Sequence, residues 1–592
     1  MSVKSWLERQ APDFLQTWQH FPLAIALAAL NAAVVLGAIN DVAWLKQEVW
    51  ARAALGLATG AVLAVAGVYF AQSRPEAPRW GFALKYLLPM LAIGAFQVTD
   101  IAWFVPYALP AIAILWLSVS PFTRVEQDTG REEQQSRFWL INHQALATAA
   151  IAGGAFAIIA LGFLVIERSL STLFGIESGR LFYGWLLPFT GLFLAPVYWL
   201  STLPKLGEVR ASEVERPEFI GKAVGFLGQF VLVPLLLLYA LILLAYTAQI
   251  ILTQKLPEGM IGWMVMGFVI VGAATWLVLY PPFMREKPLV KLFRRLWFWL
   301  TLVPLALFFF AVWVRVDAYG LTSERMLLAA GGIWALLLAG LFLSRRGDIR
   351  LIPALAGIIL LVLSAGPWNY AWLPLQQQLA RLDAVVTNAG SDKSASPPRA
   401  GWNATEIAEA RGIIDYLNAS PEGKRSVREV MGRYGVTWQE GVDGSYVVLQ
   451  ALGVDETAIE EMPRYASSWR NFDAQPVDVG ATPYLLRPVG IYGNTSQLAN
   501  PLRFEGRDGQ LSVGPINGGA EEMISLDLAD WLSRQDGTVL VDPWIDFGVG
   551  GAKYRLVVTS LSFDRGEDNG GPRVLNSIEG QLFADRGPTP TP

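Results

Sequence analysis

"LWFWLTLVPLALFFFAVWVRVDAYGLTSERMLLAAGGIWALLLAGLFLSRRGDIR", residues 296–350, sets hydrocarbon on both sides of one charged turn and closes on three arginines. A helix needs roughly 20 mostly apolar residues to cross the hydrocarbon of a bilayer, and 296–314 and 326–343 both approach that length. Working outward, similar runs recur near 21–39, 50–71, 82–98, 101–119, 143–166, 182–203, 224–252, 261–280 and 350–367, eleven candidate spans in all. The pair 82–98 and 101–119 is separated by little more than "VTD", and Pro106 and Pro110 predict a kinked second helix or a re-entrant pair. Pro188, Pro196, Pro234 and Pro304 are expected to kink other spans, which lipid-buried helices tolerate when neighbours re-satisfy the freed carbonyls.

Composition agrees. The 592 residues are 53% apolar and only 16% charged, whereas soluble domains carry about 25% charge. The deficit ends near Trp372, and from Leu373 onward the composition is that of an ordinary soluble domain. A net charge of −4 argues against nucleic acid as a partner. With no cysteine and only His20 and His143, thiolate or imidazole metal sites, disulfides and Cys/His nucleophile pairs are excluded or nearly so. Any metal would be a hard cation on oxygen ligands; no cofactor or metal site is expected. Absence of cysteine is compatible with an oxidising compartment. The first apolar run follows Lys4 and Arg9 and exceeds the roughly 7 to 15 residue core of a cleavable signal, so it reads as a retained signal anchor.

Basic residues set the orientation. Alternate loops hold nineteen of them, from Lys4 and Arg9 through Arg74, Arg131 and Lys205 to Arg345, Arg346 and Arg350, and the intervening loops hold six. The N-terminus is therefore expected in the cytoplasm of a bacterial inner membrane, and an odd number of spans puts everything after Trp372 outside. Trp44, Trp50, Trp80, Trp263, Trp297, Trp313, Trp368 and Trp372 fall near span ends, where an amphipathic ring prefers to lie.

The turn at 315–325 then belongs to the outer face. Thr322 suits an N-cap, Leu321 and Met326 a hydrophobic staple, and Glu324 the first turn of the next helix. Gly320 permits the reversal, and Arg315 and Asp317 are close enough in sequence to pair. A functional alternative makes Arg315, Asp317, Tyr319 and Arg325 a polar cluster that binds an anionic head group or the outer domain, since a guanidinium fork can hold a phosphate or carboxylate at two points.

"WVRVDAYGLTSER", followed by "SRRGDIRLIPALAG", "GPW" and "QQQLARLDAVV", resembles a bacterial family of multi-pass membrane proteins classified as domain of unknown function 4153. The likeness is best from about Leu238 to Val386 and includes "YTAQIILTQKLPEGMIGW". It implies the topology and no assigned reaction or ligand.

Beyond the spans, Leu375, Leu379, Leu382 and Val386 predict an amphipathic helix, followed by the linker "TNAGSDKSASPPRAGWN" (387–403). Thr405 is expected to cap a helix with face Ile407, Ile414 and Leu417; a second helix runs through "SVREVMGRYG" and a third across "ETAIEEM" after Asp455. From about Pro476 short alternating strands take over. The expected fold is an α-helical polytopic membrane protein of about 11 transmembrane helices, with a C-terminal extracytoplasmic α+β domain ending in a β-rich sandwich or small barrel. Its divisions are 1–20 cytoplasmic, 21–372 transmembrane, 373–403 helix and linker, 404–475 helical, 476–588 β-rich and 589–592 tail. "DRGEDNG" (564–570) lacks the spacing of a calcium hand and reads as a hairpin turn.

Three functional classes remain. The first is a non-enzymatic envelope scaffold or sensor that presents a periplasmic interaction domain to another protein or an envelope polymer, with membrane lipids around its spans. The second is a lipid-linked glycosyl- or phospholipid-group transferase, for which the outer-loop carboxylates Asp41 and Asp100 would supply a metal ligand and a general base. The loop 40–49 is far too short for the substrate-binding first loop of such enzymes. The third is a transporter or flippase for an uncharged or lipidic substrate, using Asn31, Gln97, Gln229 and Gln249, residue types that more often join helices to one another.

Overall fold

The computed structural model of the chain describes every residue except 1–13, 41–46, 99, 124–129, 208, 210–224, 254–260, 389–401, 403, 439–443, 455–464, 470–478, 480, 494, 508, 517–521, 536–539, 541, 565–573 and 587–592. Two compact units result, one of residues 1–398 and 409–451, the other of 399–408 and 452–592.

The first unit is helical: α1 (Pro22–Ile39), α2 (Gln47–Ser73), α3 in three consecutive segments (Pro78–Phe82, Ala83–Leu87, Leu88–Ala95), α4 (Pro106–Phe122), α5 (Arg131–Phe174), α6 (Arg180–Thr202), α7 (Gly225–Thr253), α8 (Ile261–Val278), α9 (Pro288–Tyr319), α10 (Ser323–Leu343), α11 (Leu351–Ser364) and α12 (Trp372–Asn388). Among the described residues seven of these, α1, α2, α5, α6, α7, α9 and α10, are long and apolar enough to cross a membrane. Three shorter apolar helices, α4, α8 and α11, stand beside them.

Prolines shape the bundle in a regular way. Four segments widen into π-helix, at Ala83–Leu87, Arg180–Leu186, Thr190–Leu194 and Gly228–Leu232. Each ends two residues before a proline: Pro89, Pro188, Pro196 and Pro234. Proline brings no N–H to the ladder and its ring crowds the carbonyl four residues back; a wider preceding turn moves that carbonyl aside. Pro304 is accommodated inside α9 without such a segment. Pro106 and Pro110 do not kink a helix as expected. They lie in the first turns of α4, where an absent N–H costs nothing.

The core of this unit is aromatic. Trp276, Phe298 and Phe342 pack with ring centroids 4.7–5.3 Å apart, and Phe268 lies 4.6 Å from Trp297. Trp297 is 2% exposed, a correction to its expected place at a span end, because α9 begins nine residues earlier, at Pro288. It fits only because Gly272 faces it; a Cβ there would overlap the indole. Trp80, Trp263, Trp313 and Trp368 are all exposed.

After α12 come α13 (Ala404–Asn418), α14 (Pro421–Gly432) and α15 (Ser445–Ala451). Thr405 lies within the first turn of α13 rather than capping it, while Ser420 caps α14 by accepting from the Gly423 N–H. The expected helix across "ETAIEEM" falls outside the described residues.

The second unit is β-rich: β1 (Tyr465–Trp469), β2 (Tyr484–Tyr492), β3 (Ser496–Ala499), β4 (Leu502–Arg507), β5 (Gln510–Pro515), β6 (Ile524–Leu526), the short helix Ala529–Ser533, β7 (Trp544–Val549), β8 (Ala552–Asp564) and β9 (Val574–Ala584). The strands form two antiparallel sheets, β1-β8-β9-β2 with β7 on β8, and β3-β4-β5-β6. Alternation drives the layering. Leu502 and Phe504 on β4, Leu511 and Val513 on β5, and Ile578 and Leu582 on β9 all point into one shared core.

Candidate functional site

The charged turn that opened the sequence reading joins α9 to α10. Gly320 ends α9 with φ +75° and ψ 179°, a conformation essentially restricted to glycine. Thr322 caps α10 by accepting from the Arg325 N–H at 3.3 Å. Glu324 accepts from the Trp263 indole at 2.6 Å.

Helix α12 lies against this turn and satisfies its backbone. Gln378, 2% exposed, donates to the carbonyls of Tyr319 and Leu321, both at 3.0 Å. Gln377 accepts from the Leu321 N–H at 2.7 Å, and Arg381 donates to the Ala318 carbonyl at 3.0 Å. Arg381 also pairs with Glu409 of α13, and Tyr416 of the same helix bonds Ser323 at 3.1 Å. Asp383 accepts from the Tyr434 hydroxyl at 2.7 Å. Burial first, and the bond to Asp383 after it, hold the Tyr434 phenol above its ordinary value. The turn, α12, α13 and Tyr434 just beyond α14 are thus joined by polar bonds.

The four residues singled out from the sequence contribute little to these bonds. Arg325 donates to its own turn, to the Gly320 carbonyl, and lies 5.7 Å from the Tyr319 ring centroid. Tyr319 is 68% exposed. Arg315 and Asp317 stand two residues apart at the end of α9, a spacing that points side chains to different sides. Asp317 instead lines a small cavity of about 350 Å³ with Trp313, Val316, Gln377 and Arg381. The residues that hold the turn, Gln377, Gln378 and Arg381, lie between the apolar positions of an amphipathic helix, and no spacing signal marks them.

Of the two carboxylates expected on outer loops, Asp41 lies outside the described residues. Asp100 is exposed and accepts from the Ala102 N–H at 2.9 Å, a local turn bond. Next to it is a buried knot that sequence reading missed. Asn369, fully buried, donates to the carbonyls of Ile101, Ala102 and Gly366 and accepts from the N–H groups of Ala371 and Trp372. Backbone bonds from Val105 to Ser364 and from Gly366 to Trp103 complete a junction between the α3–α4 and α11–α12 connections. Among the described residues no cluster of three His, Asp or Glu is placed to hold a metal ion.

Residues 22–384 match the family described as Domain of unknown function (DUF4153). The chain belongs to that family. The match takes in α1 to α11, the charged turn and most of α12, so it reaches well ahead of the stretch from Leu238 on which the resemblance was read. Over 256 residues, 41% of this chain, the sequence is 26% identical to the Uncharacterized protein PM1469 of Pasteurella multocida (strain Pm70). That alignment covers 40% of the relative's length. No solved structure matches the chain.

Proposed function

We propose that this DUF4153 protein is a non-enzymatic scaffold or sensor of the bacterial inner membrane. It crosses the bilayer eleven times, through α1 to α11, with its N-terminus in the cytoplasm and its C-terminal domain in the periplasm. The threefold excess of basic residues on alternate loops supports the orientation. The observation that carries the functional reading is the α12 clamp: Gln377, Gln378 and Arg381 are committed to the backbone of the α9–α10 turn. Groups held this way position structure and are not free for chemistry on a substrate. The clamp fixes the segment leaving the membrane, from which the following domain meets a periplasmic protein or envelope polymer.

The test is site-specific photo-crosslinking in cells, with the full chain carrying a crosslinker at exposed Tyr484, Leu498 or Ile524. A discrete adduct with one envelope component, lost when Gln378 and Arg381 are both replaced by alanine, is the expected outcome. No adduct from any position, together with loss of a membrane-lipid product on Asp100→Asn, would favour the transferase class instead.

A further inference from the structure

Between α2, α3, α4 and α11 lies a cavity of about 1010 Å³, at the upper end of the roughly 300–1,000 Å³ typical of ligand pockets. Its wall is hydrocarbon along most of its length, including Leu88, Leu91, Leu109, Leu115, Ile358 and Leu361. Thr123, Arg131, Asp348 and Arg350 are its hydroxyl-bearing and charged lining residues, and hydrogen bonds and ion pairs link the last three.

Asp348, with a side chain 8% exposed, is gripped by Arg350 at 2.9 Å and faces Arg131 at 3.5 Å. Arg350 also donates to Gln134, and Arg131 donates through Nη2 to the carbonyls of Arg346 and Gly347. Two guanidinium groups on one carboxylate leave a net positive charge. Arg131 keeps half its side chain exposed, and its Nη1 donates to none of the described residues. A second free donor lies in the same wall: the Trp116 indole nitrogen is buried and has no hydrogen-bond partner among the described residues. Thr123 follows seven residues later, just past the end of α4, about 10 Å away along the helix axis.

We infer that this cavity is a binding site for a single phospholipid with an anionic head group. The acyl chains fill the hydrocarbon wall, the phosphate takes the open side of Arg131, and an ester carbonyl accepts from Trp116. The net positive charge of the Arg131–Asp348–Arg350 group selects an anionic head group, because a zwitterionic one carries its own cation beside the phosphate and gains less from two guanidinium groups on one carboxylate. Guanidinium is well suited to phosphate. The inference needs the helices to lie in lipid and is independent of what the C-terminal domain does.

Native mass spectrometry of the full chain, released from detergent and titrated with phosphatidylglycerol or phosphatidylcholine of identical chains, tests it. The expected result is one phosphatidylglycerol held after all other lipid is stripped, with a preference over phosphatidylcholine of about tenfold or more. Arg131→Gln should erase the preference, Arg131→Lys should keep part of it, and Ala354→Phe, which fills the cavity, should lose the retained lipid of either kind. Equal retention of the two lipids by the natural chain would overturn the proposal. So would displacement of the retained lipid by millimolar inorganic phosphate, which marks a free-anion site.

Discussion

A Cβ built on Gly320 would come within 2.5 Å of the Arg381 guanidinium and 2.6 Å of the Gln378 amide. Arg381 and Gln378 therefore pack into space that only a residue without a side chain leaves open. Gly320→Ala adds two costs, a φ of +75° for a residue with a Cβ and the displacement of both polar side chains. The backbone cost alone is about 1–3 kcal/mol. The variant should melt at a lower temperature in nanodiscs; an unchanged melting point would show that the clamp contributes nothing to stability.

Gln378 tests the clamp without touching the backbone. Gln378→Glu keeps the shape but replaces a donor to two carbonyls with an acceptor or a single hydroxyl, which should cost about 1–3 kcal/mol. Gln376 is exposed, and Gln376→Glu should be silent in the same thermal assay.

Asn369→Ala removes five hydrogen bonds from a fully buried site. The expected loss is about 2–4 kcal/mol, read as reduced yield of folded protein and a lowered melting point. Asn369→Asp should fare little better, since a carboxylate cannot donate to the carbonyls of Ile101, Ala102 and Gly366. Wild-type stability in both variants would mean that backbone bonds alone hold the junction.

The titration of His20 gives a pH prediction. Burial, then the positive charges of Lys205 and Lys85, hold its pKa below the ordinary 6.5, and its Nε2 accepts from Gln72 at 2.9 Å. The fold therefore favours the neutral ring, while an unfolded chain takes up the proton as pH falls through 6.5. This stabilising contribution is complete above 6.5 and is lost as pH drops from there toward the folded value. His20→Gln, which keeps an acceptor for Gln72, should show a smaller fall in melting temperature between pH 7 and pH 5 than the natural chain; an equal fall would exclude His20 as a contributor.

What could be read from the sequence was local. Apolar runs, the Thr322 cap and the amphipathic stripe of α12 depend on neighbours within a few residues, and periodicity reports them directly. Leu375, Leu382 and Val386 of that stripe are buried. The clamp and the Asn369 junction join residues 56 to 268 positions apart, so no spacing rule reveals them. Gln377 and Gln378 look like surface polar residues until the turn is set against them. The π-helical segments could have been anticipated, since each is tied to a proline in plain view, but a kink was expected where a widened turn formed.

The account rests on the direction in which the chain crosses the bilayer, and because the natural sequence has no cysteine this can be measured one position at a time. Ser391→Cys and Arg346→Cys, each the sole thiol in an otherwise natural chain, would be exposed in intact cells to a membrane-impermeant maleimide. Labelling at 391 without permeabilisation, and at 346 only after it, is the predicted result. The reverse pattern would place the C-terminal domain in the cytoplasm and contradict the proposed function.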